Sequence, residues 1–355
     1  MSRLLFSLLV LNIFLVGCAG SHSPVIRSSS HNLRMSPENF VAYTNQKERD
    51  PEMEALFDQA LKKYSGSSFY IIEHIQAIAS KYCDSPFIRY YSWLRESTKD
   101  SYGEVEFPLL LASDASTALH ETAHGFASSA AFLDSPYNKS TRQALAYSAP
   151  SEITAYYLED WGVNYILQTE SVPAKQITPY IRNSEIISTG RYQEYIEPSG
   201  PTNSTQVDGI YGLVDEYHAY YHTLMMDYNI ALDPELDLGD KVPRGESYLS
   251  RFSDMHIAYY QFTLYILSYF RMVEDEYPRI FEKLMNNQEL LKAIVRIHDA
   301  GKNLSQRYIE LITEDQYKKD FSRSAFYKNY ITHSQEYNLP ENQGMLLKIR
   351  GRVSL

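Results

Sequence analysis

The amino-acid sequence predicts a mainly α protein with a small β contribution, an α+β fold, and three observations carry that expectation. Apolar residues recur three and four apart through much of the 355-residue chain, the spacing of helices with one buried face. A single stretch, 104–112 (EVEFPLLLA), alternates at first and then runs continuously apolar, as a strand does. Residues 248–281 carry apolar positions too frequent for one stripe, which fits a buried central helix interrupted near Pro278. The length suffices for one large domain or two smaller ones.

The elements follow in order. "MSRLLFSLLVLNIFLVGC" has a basic start at Arg3, an apolar run from Leu4 to Val16, and then Gly17-Cys18. That is the pattern of a secretory signal, too short and too poor in flanking charge for a spanning helix. "LVGC" resembles a bacterial lipobox, which implies a signal peptide of residues 1–17 and a lipid on Cys18 anchoring the mature chain to a bilayer. Ala19, by resemblance to enterobacterial sorting, implies the outer membrane of a bacterial cell envelope, facing periplasm or surface. Residues 18–40 then read as the lipidated cysteine and a polar, Ser-rich tether.

Helical stripes follow over 51–65 (Met53, Leu56, Phe57, Leu61) and 69–83 (Ile71, Ile72, Ile75, Ile78). Residues 87–94 fit strand or helix. The strand expected over 104–112 stops before Asp114, a plausible N-cap for a helix carrying His120. Further helices are expected over 151–169, 207–228, 248–279, 281–300 and 304–312, with long loops over 170–206 and 229–246 and a tail over 336–355.

Composition narrows the function. A formal net charge of −11, or −12 once Arg3 leaves with the signal, argues against nucleic acid as a partner. The 31 tyrosines, twice the phenylalanine count, suit half-wet clefts and helix contacts. Only Cys18 and Cys83 occur; with Cys18 lipidated, Cys83 has no intramolecular partner and reads as a small buried hydrophobe.

The chemistry concentrates in "ALHETAHGF" (118–126). On a helix His120 and His124 stand one turn apart on one face, with Glu121 beside it. Two neutral imidazoles in that pattern can hold Zn²⁺, and the glutamate can act on a water at the open position. Ala115, Leu119, Phe126 and Ala130 form the opposite, inward face. A catalytic zinc needs a third protein ligand. Ala127 and Ala130 stand where the extended metzincin pattern requires Gly and His, so that subclass is excluded. A short echo, Tyr-x4-Glu-x2-Ala-Tyr-Tyr, occurs at 147–157 and 211–221 and offers Glu152 and Glu216 in matching settings.

His120-Glu121-x-x-His124 followed by "AYSAPSEITAYYLED" resembles the gluzincin zinc peptidases, nearest to the lethal-factor-like group. The resemblance spans roughly residues 104–165. It implies a zincin-like catalytic region over 41–240 with a small edge sheet, completed by a C-terminal helical region over 241–335. By position it also implies Glu152 as third ligand, with Glu216 the alternative, and Tyr147 as donor to a developing oxyanion. If Glu216 is the ligand, Tyr211 replaces Tyr147. The chain departs from the group at Tyr156, where an acid is common.

His218 and His222, four apart on the second echo, fit a cleft wall or another metal site, and His218 is a further candidate oxyanion donor. His256 and His298 read as satisfied core or surface histidines, and the acidic run at 273–278 as a solvated helix end. The expectation is a membrane-anchored zinc peptidase acting on peptide or protein, with Glu121 as general base. A catalytically silent envelope scaffold and another metallohydrolase are the alternatives.

Overall fold

A computed structural model describes residues 51–82, 107–133, 153–197, 204–233, 248–312 and 325–353. Cys18, Cys83, Tyr147 and Glu152, and the expectations for the signal, the tether and residues 87–94, lie outside them. Among the described residues the protein is mainly α with one two-stranded antiparallel sheet. No helix among them is long and apolar enough to cross a membrane. By contact they form two compact units, one of the residues up to 165 with 225–233, the other of 166–224 with the residues from 248 on.

In the first unit, α1 (Pro51–Tyr64) and α2 (Phe69–Tyr82) form where the apolar spacing places them, burying Phe57 and Leu61, and Ile71, Ile72 and Ile75. Both pack against α3 (Phe107–Leu133), the helix that carries His120 and His124. The strand expected over 104–112 is corrected here: from Phe107 onward the chain is helical. Pro108 belongs to the first turn of that helix, where its missing N–H costs nothing, and would break the ladder of a central strand. Asp114 is therefore no N-cap but a buried residue within the helix.

The helix expected over 151–169 is a hairpin, β1 (Ile153–Leu158) and β2 (Gly162–Leu167), with β1 packed against α3. Ile153, Thr154, Tyr156 and Tyr157 are the β-branched and aromatic types that a half-buried strand favours. The turn is set by Trp161, whose N–H donates to the Leu158 carbonyl at 3.0 Å, and by Gly162 at φ +73°. A type I turn closed by a left-handed glycine is a standard three-residue hairpin loop.

In the second unit, residues 170–206 are not the plain loop expected. They hold a 3₁₀ segment (Ala174–Tyr180) and three short helices: α4 (Ser184–Ile187), α5 (Gly190–Tyr195) and α6 (Ser204–Val207). Then comes α7 (Ile210–Ala231), which starts in this unit and ends in the first. Its start is set by two glycines. Gly209 takes φ +59°, and a Cβ on Gly212 would lie 2.5 Å from the Ser204 backbone, so only glycine lets α6 lie against α7.

The core of the second unit is α8 (Tyr248–Glu276), buried continuously from Gln261 to Phe270 as its apolar density predicts. Pro278 ends the run and opens α9 (Pro278–Met285). The helix expected over 281–300 is divided between α9 and α10 (Gln288–Ile312), and α10 runs on without a break through the separate helix expected over 304–312. After α11 (Ala325–Tyr337), the expected tail forms α12 (Pro340–Arg352), which buries Met345, Leu346 and Ile349. The tyrosines differ from expectation in place: Tyr211, Tyr217, Tyr265 and Tyr269 are fully buried. Their rings fill the core while hydroxyls such as that of Tyr217, 2.9 Å from Thr263 Oγ1, find partners inside it.

Candidate metal centre

Helix α3 holds its two histidines by its buried back. Ala115, Leu119, Phe126 and Ala130 are each fully buried, the inward face expected from sequence, and Thr122 Oγ1 donates to the Ala118 carbonyl at 2.6 Å. That leaves His120, Glu121 and His124 half-buried on the other side. The His120 and His124 Nε2 atoms lie 3.2 Å apart, with the rings tilted 81° to one another.

The third group is Glu216 on α7. One ligand atom from each of His120, His124 and Glu216 falls within 4.8 Å of the others, and this is the one such group of three among the described residues. The donor set suits zinc. Two nitrogens each about 2.0–2.1 Å from a tetrahedral ion lie about 3.3 Å apart, close to the spacing seen here, and a carboxylate supplies the charge that two imidazoles lack. Zinc was expected on His120 and His124 with Glu152 first and Glu216 second. The structure brings Glu216 to the pair; Glu152 lies outside the described residues, and the chain from Ile153 on is strand, not the helix expected to carry it.

Helix α7 is tied to α3 within the first unit. Ser116 Oγ on α3 donates to Asp227 Oδ1 on α7 at 2.7 Å, with both residues buried. Asp227 follows Glu216 by eleven residues, about three full turns, so the two share one face of α7.

Two of the expected oxyanion donors, His218 and Tyr211, have partners of their own. His218 stands two residues, about 200°, round α7 from Glu216, is fully buried, and faces His222 with Nε2 atoms 2.9 Å apart. Tyr211 also lies off the Glu216 face, and its hydroxyl accepts from the Thr169 N–H at 2.8 Å and the Asn287 amide at 3.3 Å. His256 and His298 are core histidines as expected, the first against Ser305, the second against Tyr337 and Asp299.

The sequence reading passed over Tyr195 and Tyr220. Tyr220 follows Glu216 by one turn on the same face, a signal present in the sequence; Tyr195 arrives from α5, and only the fold shows it. Their hydroxyls are 3.3 Å apart. Burial first, then the Glu216 carboxylate, hold the Tyr195 hydroxyl well above the ordinary tyrosine range, so it remains a proton donor.

In comparisons with known protein families, with characterised proteins and with solved structures, the chain matches none.

Proposed function

We propose that the chain is a zinc-dependent peptidase, anchored to a bacterial envelope through Cys18, in which His120, His124 and Glu216 hold the metal. The convergence of Glu216 on the two histidines of a His-Glu-x-x-His helix carries this reading. Bound there, zinc would polarise a peptide carbonyl and ease deprotonation of water. Glu121 follows His120 directly, is half-buried, and stands beside the ligand face. It accepts a proton from the attacking water as the new C–O bond forms, then returns it to the amine nitrogen as the C–N bond breaks. The buried back of α3 fixes His120 and His124 while this proton moves, so little reorganisation accompanies the reaction.

The test is hydrolysis of a peptide library by the full chain purified in detergent. Activity lost on chelation and regained with Zn²⁺ supports the peptidase; one equivalent of bound zinc with no turnover of any peptide supports the silent scaffold instead.

A further inference from the structure

His298 on α10 is buried and is met by side chains from three other helices of the second unit. Its Nε2 lies 2.9 Å from the Tyr337 hydroxyl on α11, and the two rings stack at 6.0 Å and 27°. The Tyr259 hydroxyl on α8 donates to the His298 carbonyl at 3.2 Å. Nδ1 is the crowded atom. Asp299 Oδ1 lies 3.0 Å from it, and Arg350 Nη2, from the last turn of α12, lies 3.1 Å from it. The same guanidinium grips both oxygens of Asp299, Nη1 donating to Oδ2 at 3.1 Å and Nη2 to Oδ1. One carboxylate oxygen is thus shared between an imidazole and a guanidinium.

That sharing suits a neutral His298 only. A protonated imidazole donates at both nitrogens and offers no lone pair to Nη2. Asp299 stays ionised: against its burial, which opposes ionisation, the contacts with His298 and Arg350 bring its carboxyl down to about 2. Proton uptake by His298 therefore sets two cations a hydrogen-bond length apart, competing for one anion in a partly desolvated site. Lys302 on α10 adds to the repulsion, while the hydroxyls of Tyr337 and Tyr259, raised by burial above the ordinary tyrosine range, are neutral. Of the two cations, Arg350 is the one able to leave: it is 33% exposed at a helix end, whereas the His298 ring is enclosed by Tyr337 and Tyr259. We propose that His298, Asp299 and Arg350 form an acid-sensitive latch, in which proton uptake by His298 hands Asp299 to the imidazolium and releases the last turn of α12 from α10. Burial lowers the His298 pKa, Asp299 opposes that, and Arg350 and Lys302 reinforce it, so the latch opens below the ordinary histidine value of 6.5. Release is local, because earlier in α12 Asn342 accepts from Arg271 at 2.9 Å and Met345 and Leu346 are buried.

The experiment is hydrogen exchange with mass-spectrometric readout on the full chain purified in detergent, at pH values from 7.5 to 5.0, corrected for the intrinsic pH dependence of exchange. Two stretches are compared, 343–353 in α12 and 261–270 in the core of α8. In wild type, protection of the first should fall with pH by up to about tenfold per unit below 6.5, because one proton is taken up on opening. Protection of the second should hold. His298→Gln cannot take up the proton and should show no such step. Arg350→Gln removes the competing cation, so its α12 segment should be loose already at pH 7.5 and change no further; this variant reads the latch even if His298→Gln fails to fold. Lys348→Gln is the control on α12: it loses a partner on Glu274, away from His298, and should keep the step. A wild-type segment with flat protection over this range overturns the latch. So does a step that persists in His298→Gln or Arg350→Gln, or one that α8 follows in parallel, which would be global unfolding.

Discussion

The Ser116 hydroxyl donates to the buried Asp227 carboxylate at 2.7 Å, and this bond ties α3 to the later turns of α7, the helix that also carries Glu216. Ser116 precedes His120 by about one turn on α3, and Asp227 follows Glu216 by about three turns on α7. A slide of either helix by one residue would turn its ligands about 100° away. Ser116→Ala takes a donor from a buried carboxylate. It should cost about 1–3 kcal/mol in urea unfolding and weaken zinc binding with it. Unchanged stability and unchanged affinity together would show that α7 is held to α3 elsewhere.

In the proposed peptidase Glu121 is a base and not a ligand. Glu121→Gln should therefore keep its zinc, measured by elemental analysis, while turnover falls by about 10²–10⁴-fold. Loss of the metal in this variant would instead make Glu121 a ligand.

His256 gives the fold a pH dependence of definite sign. Burial against Ser305 and the rings of Tyr260, Tyr308 and Tyr330 pulls its imidazole from 6.5 down to about 3. The folded state then binds no proton at His256 where the unfolded chain already does. Stability is highest above about pH 6.5 and is lost as pH falls from there toward 3, at about 1.4 kcal/mol per pH unit from this residue. Unfolding by urea at pH 7 and pH 5.5 should show His256→Phe losing about 1.4 kcal/mol less than wild type over that interval. An equal loss in both would put the sensitivity on other groups.

The helical face of the metal site was legible because it is local. His120, His124 and the buried Ala115, Leu119, Phe126 and Ala130 all follow from one period of 3.6 within one helix. The start of that helix was misread because Leu109, Leu110 and Leu111 form an unbroken apolar run, which has no period of its own. Pro108 was the discriminating residue. The hairpin was missed although Asp160-Trp161-Gly162 carried its turn signal, and residues 153–157 and 217–221, similar in sequence, take strand and helix. The two differ at Ile153-Thr154 against Tyr217-His218, and β-branched residues packed on α3 tip the first toward strand. The choice between Glu152 and Glu216 was beyond any local rule. Glu216 follows His124 by 92 residues, and the contacts that shape α7, at Asp227, Gly209 and Gly212, appear only in the folded chain.

Zinc content of three purified full-length chains, wild type, Glu216→Gln and Glu152→Gln, is the direct test of the metal centre. Wild type and Glu152→Gln should each carry about one zinc per chain, and Glu216→Gln should lose it, because its amide no longer offsets the charge of the ion. Zinc kept by Glu216→Gln and lost from Glu152→Gln would place the third ligand on Glu152 and contradict the centre formed by His120, His124 and Glu216.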